Sequence, residues 1–293
     1  MRRMIVGCGY LGRRVAARWI AGGDEVFALT RSKQNAAALR ELGVLPLLGD
    51  VTNAASLESL PECDTILHAV GFDRSASASK REVYVGGLSN VLDRMAGRCG
   101  HFIHISSTSV YGQQAGEWVD EESPAASETE SGEICIAAEG LVLDRFSSDA
   151  TSGQGTVLRP SGIYGPDRLL SRIDALKNAQ PLPGPEGGWL NLIHVDDAAE
   201  TVVTCAEAKS LDSIYLVSDD RPILRGEYYR LLAKLVGAPE PIFDPIAVAR
   251  HSRGINKRCG NRKLRDQLGV QLRYPDIESG LAHAVNSSTT LRS

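Results

Sequence analysis

Met4-Ile5-Val6-Gly7-Cys8-Gly9-Tyr10-Leu11-Gly12 opens the chain with an apolar run that ends in G-x-G-x-x-G. The run predicts a strand over 3–6, and the spacing after it predicts a helix over 11–20. Each glycine has its own reason. Gly7 makes a tight turn, Gly9 lets the backbone approach a pyrophosphate, and Gly12 lets the helix pack closely on the strand. The anion then lies at a helix N-terminus, where unpaired N–H groups and the helix dipole favour negative charge. A dinucleotide-binding α/β fold is the first expectation, with Tyr10 and Leu11 carried in the same turn.

Outward from this turn, strand-length apolar runs at 3–6, 25–29, 44–47, 65–69, 101–105 and 156–158 alternate with helical spacing at 11–20, 33–42, 81–95 and 133–146. That alternation predicts a Rossmann-like, doubly wound parallel sheet covered on both faces. Beyond Pro160 the pattern loosens. Pro181, Pro183, Gly184, Pro185, Gly187 and Gly188 read as a substrate-facing segment or lid. Periodicity returns in a strand at 192–195, a helix at 198–208 with Asp197 and Glu200 as its capping box, a strand at 214–217 and a helix at 226–236. The expected division is a dinucleotide-binding Rossmann domain over 1–160, a smaller substrate-binding region over 161–285 interleaved with it, and a loose polar tail over 286–293.

Composition sets bounds on function. Of the 293 residues 43% are hydrophobic and 23% charged, which fits a folded globular chain and neither a disordered nor a fibrous one. A net charge of -4 offers no broad basic surface, so no nucleic-acid partner is expected and an anionic ligand needs a local positive site. The six cysteines show no C-x-x-C pair and no metal-ligand spacing, the pattern of reduced thiols without a metal site. No apolar stretch reaches the roughly 18 residues of a membrane span. A cytoplasmic protein with a small-molecule substrate is expected, and a homodimer is compatible with the chain.

The second strand tells the cofactors apart. NAD calls for an acid at its end, to bind the ribose 2'-hydroxyl. Here the strand runs into Thr30-Arg31-Ser32-Lys33 with no acid. An arginine presents a planar fork of donors to the 2'-phosphate of NADP, and Thr30 and Ser32 add hydroxyls, so NADP is expected over NAD. Arg31 and Lys33 also suit the solvated start of a helix. Asp50 and Val51 follow the third strand, where an aspartate accepts from the adenine amino group and the next residue gives backbone and apolar contact. Asp50 reads equally as a turn or cap residue before Asn53. His68-Ala69-Val70-Gly71 ends the fourth strand in small residues, as a chain beneath a cofactor requires.

These segments, with Ile105-Ser106-Ser107-Thr108-Ser109-Val110-Tyr111-Gly112, Leu158-Arg159-Pro160-Ser161-Gly162-Ile163-Tyr164-Gly165-Pro166 and Ile193-His194-Val195-Asp196-Asp197, run in the order found in one family. The chain resembles the extended short-chain dehydrogenase/reductases, the NAD-dependent epimerase/dehydratase group. The resemblance covers nearly the whole chain. It implies cofactor contacts from Gly7, Gly9, Tyr10, Leu11, Gly12, Thr30, Arg31, Asp50, Val51, Ala69, Val70, Gly71 and Pro160.

Members usually carry a Ser-Tyr-Lys set, in which a tyrosine exchanges a proton while hydride moves and a lysine favours its phenolate. Ser107 matches the serine. The expected Tyr-x-x-x-Lys is missing, and the best register puts Ser131 at the tyrosine and Cys135 at the lysine. Lys80 and Arg81 lie too early in the chain to belong to that motif. A serine hydroxyl is a far weaker acid than phenol, and a thiol carries no permanent positive charge. The absence resembles an atypical, YeeZ-like branch of the family, as do Tyr215-Leu216-Val217-Ser218-Asp219-Asp220, Asn256-Lys257-Arg258, Leu268-Gly269 and Tyr274-Pro275.

The resemblance implies a reductase, dehydrogenase or epimerase acting on a small carbonyl or alcohol, with Ser107 orienting the reacting oxygen and Tyr111, Tyr164 or water replacing the missing acid. Two other readings follow from the departures: a non-catalytic dinucleotide sensor, from the lost pair, and a nucleotide-sugar epimerase or dehydratase. Against the latter, Trp189-Leu190-Asn191-Leu192 lacks the arginine that such enzymes often use for the diphosphate. Cys135 reads as a small core residue, His194 with Asp196 as strand-end capping, and Asp120-Glu121-Glu122 as an acidic surface loop. His68 and His104 show no partner in the sequence.

Overall fold

The computed structural model describes residues 1–73, 77–147, 153–168, 172–245 and 256–288. Its centre is the strand before the glycine turn. In β1 (Arg2–Val6) Met4, Ile5 and Val6 are wholly buried, because helices cover both faces of a parallel sheet. β1 lies between β2 (Glu25–Thr30) and β4 (Cys63–His68), parallel to both. β3 (Leu45–Leu48) pairs with β2, and β5 (Cys99–Ile105) lies between β4 and the strand Gln154–Pro160. The strand Ile214–Val217 completes a seven-stranded sheet at the edge opposite β3. This is the predicted Rossmann-like, doubly wound sheet. The strand order reverses between β1 and β4, and open α/β sheets bind ligands beyond the carboxyl ends of the strands at such a point.

The helices follow the sequence spacing closely. α1 (Tyr10–Ala21) buries Leu11, Gly12, Val15, Ala16 and Trp19 on one face. α2 (Lys33–Glu41) is capped by Ser32, whose hydroxyl accepts the Asn35 N–H at 3.3 Å. The helix predicted over 81–95 is not uniform: a π-helical turn at Glu82–Gly86 leads into α3 (Gly87–Arg94). α4 (Glu130–Arg145) starts three residues earlier than predicted and takes Ser131 and Gly132 into its first turn.

The described residues form two compact units. The first comprises Met1–Ser107, Glu130–Arg159 and Ala199–Tyr215; the second comprises Thr108–Thr129, Pro160–Ala198 and the chain from Leu216 onward. In the second unit Tyr164, Ile173, Leu176, Leu182, Tyr228, Leu232, Ile277 and Leu281 share one apolar core. Among the described residues no helix is long and apolar enough to cross a membrane.

Three expectations are corrected here. The helix Val195–Glu207 begins before Asp197, so Asp197 and Glu200 form no capping box. Asp197 is buried and accepts the N–H groups of Arg273 at 2.8 Å and Tyr274 at 2.9 Å, while Glu200 pairs with Arg18 at 3.4 Å. The segment 181–188 is fastened by its own unit. Arg225, itself buried, donates to the carbonyls of Pro183, Gly184 and Pro185, and Leu182–Pro183 pairs with Phe243–Asp244. The predicted tail begins inside structure: the helix Ile277–Asn286 includes Asn286, and Ser288 is buried with its hydroxyl on Asp167 at 2.6 Å. Residues 289–293 lie outside the described residues. Glu121 is no bare surface acid; it accepts the Leu216 N–H at 2.6 Å and burial raises its pKa.

The central sheet also pairs the two histidines whose partners the sequence hid. His68 and His104, neighbours on β4 and β5, place their Nδ1 atoms 3.2 Å apart with both rings buried. Burial pushes the His104 imidazole down to about 4 and that of His68 well below its usual value. The unfolded chain therefore binds more protons than the folded one between pH 6.5 and 4, and stability must fall as pH falls through that window. For His104 alone the loss is about 3 kcal/mol. Thermal melts across that range should show Tm dropping with acid, and His104→Gln should flatten the slope. A wild-type Tm constant from pH 6.5 to 4.5 would contradict the neutral pair.

Candidate functional site

Beyond the carboxyl ends of β1 and β4 the three glycines divide as their chemistry requires. Gly7 holds φ 96°, and a Cβ there would meet the Ala69 carbonyl oxygen at 2.5 Å and Val70 Cα at 2.7 Å. A Cβ on Gly12 would meet the Gly7 carbonyl at 2.9 Å and Ile5 Cγ2 at 3.1 Å, which is the close helix-to-strand packing predicted for it. A Cβ on Gly9 would meet no protein atom within 4 Å. Two glycines are thus demanded by the protein's own packing, and the middle one faces open space. Gly9 begins α1 with no side-chain cap and no acid in the first turn, so the helix N-terminus is left for an anion. Leu11 is buried and anchors the turn, while Tyr10 lies under the Arg14 guanidinium at 4.3 Å. The cradle fits a dinucleotide's pyrophosphate.

The ends of β2, β3 and β4 place the next residues. Thr30 is buried and its hydroxyl accepts the Ser32 N–H at 3.4 Å. Arg31 is half exposed, 3.1 Å from Asp73 and 3.9 Å from Asp50. Asp50 takes the turn position that the sequence allowed. One carboxylate oxygen closes a turn on the Thr52 N–H and hydroxyl, at 2.9 and 2.8 Å, and the other faces Arg31. Val51 is buried against Gly87, where a Cβ would come within 2.7 Å of its Cγ2, and its carbonyl accepts from Asn90 at 2.8 Å. Ala69 is held by its N–H on the Val6 carbonyl at 2.8 Å, Val70 is half-buried, and Gly71 is exposed with open space at its Cβ position. Asp73 was not singled out from the sequence. Its signal is tertiary, because 42 residues separate it from Arg31.

At the end of β5, Ser106 and Ser107 are half-buried. The Ser106 hydroxyl donates to Glu139 on α4 at 2.5 Å, and Glu139 accepts from Arg159 Nε at 3.0 Å and Nη2 at 2.7 Å. Both charges are about 3% exposed, so β5, α4 and the strand ending in Pro160 meet on one buried ion pair. Pro160 is buried as well. Sequence reasoning missed Glu139 entirely.

Ser131 and Cys135 occupy the first turns of α4, Cys135 buried and Ser131 exposed. Lys80 lies early in the chain, yet its Nζ donates to Ser131 Oγ at 2.7 Å.

Within the second unit, Tyr111 and Tyr164 are each 1% exposed. Both occupy core positions there, as packing tyrosines do. Burial, then the nearby Asp219, pushes the Tyr164 phenol far up, and its hydroxyl lies against Gly280, where a Cβ would come within 1.9 Å. Asp219 is itself buried, and burial raises its pKa well above the usual carboxylate range. His194 Nδ1 accepts the Asp196 N–H at 3.1 Å, and its Nε2 lies 3.2 Å from His283 Nδ1. These three side chains have metal-ligand types and spacing, but both His194 nitrogens are engaged within the protein. Beside the 189–192 stretch, Arg258 lies over Trp189 at 5.3 Å and Trp118 at 5.0 Å, with Nε donating to the Gly116 carbonyl at 2.8 Å.

Comparison with known proteins agrees with this geometry. The profile of the NAD dependent epimerase/dehydratase family matches residues 4–217. Protein YeeZ of Escherichia coli K12 is 28% identical over 280 residues, spanning 93% of this chain and 96% of its own. A 4-hydroxy-2-methyl-3-oxo-4-farnesyl-3,4-dihydroquinoline-1-oxide ketoreductase of Stigmatella aurantiaca is 28% identical over 263 residues, 85% of this chain and 78% of its own. A solved structure from Methylobacillus flagellatus, described as an NAD-dependent epimerase/dehydratase, superposes with TM-score 0.78 at 32% identity over 100% of this chain and 99% of that one. A glycine cradle at the strand-order reversal, the ordered motifs behind it and a profile match across most of the length have one explanation: the chain belongs to the NAD-dependent epimerase/dehydratase family.

Proposed function

We propose that the chain binds a nicotinamide dinucleotide on the first unit and works as an oxidoreductase on a small carbonyl or alcohol. The observation carrying this is the open position at Gly9 between two glycines that the fold itself requires. Hydride exchange is the chemistry the dinucleotide supplies when bound; the protein's part is orientation and proton handling. Gly7, Gly9 and Gly12 with the start of α1 hold the pyrophosphate, Asp50 and Val51 the adenine, and Ser107 orients the reacting oxygen. Kinship with a ketoreductase supports carbonyl reduction over nucleotide-sugar chemistry. A Ser107→Ala change should lower kcat by about 100-fold with KM for the cofactor unchanged. Activity unaltered by it would remove Ser107 from the role.

NADP(H) is the proposed form, on the absence of an acid at the end of β2 and the presence of Arg31. Arg31 is now shared by Asp73 and Asp50, so a 2'-phosphate competes with two carboxylates. Fluorescence titration tests this. Arg31→Ala should weaken NADPH about tenfold, a change of about 1.4 kcal/mol, and leave NADH nearly as it was. Asp73→Asn should strengthen NADPH several-fold by freeing the guanidinium. Tighter NADH than NADPH in the wild type would overturn the assignment. Ser131 and Cys135 favour one rival, a dinucleotide sensor without turnover. Binding with no turnover across aldehydes, ketones and nucleotide sugars would select it.

A further inference from the structure

The family's proton-handling pair is absent from α4, yet the two replaced positions are not bare. Ser131, in the tyrosine's place, carries the Lys80 ammonium at 2.7 Å. Cys135, in the lysine's place, lies close enough to Tyr84 to raise its pKa, a smaller effect than burial. Lys80 and Tyr84 stand four residues apart at the start of the α3 region, with Lys80 Nζ 5.3 Å from the centre of the Tyr84 ring. An ammonium and a phenol have thus been brought to α4 from its neighbour.

The local structure is built to hold them. Ser79 and Glu82 form a reciprocal capping box, the Glu82 carboxylate accepting the Ser79 N–H at 2.6 Å and the Ser79 hydroxyl accepting the Glu82 N–H at 3.2 Å. Lys80 sits inside that box. Tyr84 lies within the π-helical turn Glu82–Gly86, a distortion that concentrates at functional sites. Its hydroxyl accepts the Phe72 N–H at 3.2 Å, next to Gly71 at the end of the β4 run. All these residues belong to the first unit, whose glycine cradle was described above.

We infer that Ser131 and Lys80 form the proton-delivering pair of this chain, Ser131 giving its hydroxyl proton to the substrate oxygen and Lys80 resupplying it. The inference rests on the oxidoreductase reading. Since Ser131 Oγ accepts from Lys80, its own O–H points away from the ammonium. In carbonyl reduction the carbonyl carbon takes hydride from the reduced dinucleotide, and the C=O π pair moves to oxygen. That oxygen takes the Ser131 proton, Oγ takes one from Nζ, and the neutral amine regains a proton from solvent. Oxidation of an alcohol runs the same path backward. Tyr84 is a positioning residue, fixing Lys80 through its ring face.

The test uses the full chain with lysine side chains isotopically labelled and the Lys80 signal assigned by Lys80→Arg. Saturating NADP+ or NAD+ should move that signal, and Ser131→Ala should shift it in the free protein. With NADPH or NADH and 9,10-phenanthrenequinone as probe, Lys80→Met should cut kcat by about 100-fold or more. Its dinucleotide Kd should stay within about twofold of wild type, and Lys80→Arg should keep part of the rate. A Lys80 signal indifferent to a dinucleotide that binds, or a Lys80→Met enzyme with wild-type kcat, overturns the pair alone. Failure of the wild type to bind either dinucleotide overturns the oxidoreductase reading and this inference with it.

Discussion

Glu139→Ala should cost about 3–5 kcal/mol of stability, the range for removing one partner of a buried ion pair. Glu139 and Arg159 are each about 3% exposed, and the guanidinium has no route to water once the carboxylate is gone. The Ser106 hydroxyl loses its acceptor in the same change. Thermal or urea unfolding of Glu139→Ala checks this, with Arg159→Met as the mirror variant. The double change Glu139→Leu with Arg159→Met should recover much of the loss, because two apolar side chains of similar volume leave no stranded charge. A loss under about 1 kcal/mol in Glu139→Ala would show that the pair does not carry this junction. Because the pair ties down Ser106, next to Ser107, the variant should also loosen the end of β5.

Gly9→Val should abolish dinucleotide binding while leaving the fold intact. A Cβ there meets no protein atom within 4 Å beyond its chain neighbours, so the surrounding packing loses little, while the backbone at φ -93°, ψ -140° lies outside the regions valine favours and costs some stability. The added carbons fill the space in front of the α1 N-terminus that the pyrophosphate needs. A weakening of at least about 100-fold, or 2.7 kcal/mol, is expected, with a smaller loss of Tm than in Gly7→Val. Gly7→Val serves as the contrast. It collides with the Ala69 carbonyl at 2.5 Å and demands φ 96° of a β-branched residue, so it should lose stability as well as binding. Wild-type affinity in a folded Gly9→Val protein would remove the cradle from the binding site.

The two glycine results show why part of the site was legible in advance. The roles of Gly7, Gly9 and Gly12 follow from spacing along a few residues, and the space each one meets agrees with that spacing. The strands before and after them were equally readable, since parallel strands covered on both faces are continuous apolar runs. Asp197 shows the opposite case. Its D-x-x-E pattern mimics a helix cap, but two amides from residues 76 and 77 positions away claimed the carboxylate. In the 181–188 segment the proline and glycine content predicts irregular backbone and says nothing of the buried Arg225 that fastens it.

The sequence by itself determined the doubly wound sheet, the glycine turn at its head and the family, because apolar period and glycine spacing are local properties of the chain. Only the tertiary structure decided which polar groups meet: Arg31 with Asp73, His68 with His104, Glu139 with Arg159, and Lys80 with Ser131. Each of those pairs joins elements 20 to 51 residues apart in the chain, and strand order, not distance along the chain, brings them together. A lysine that lies too early to complete a helical motif can still reach it across a neighbouring helix.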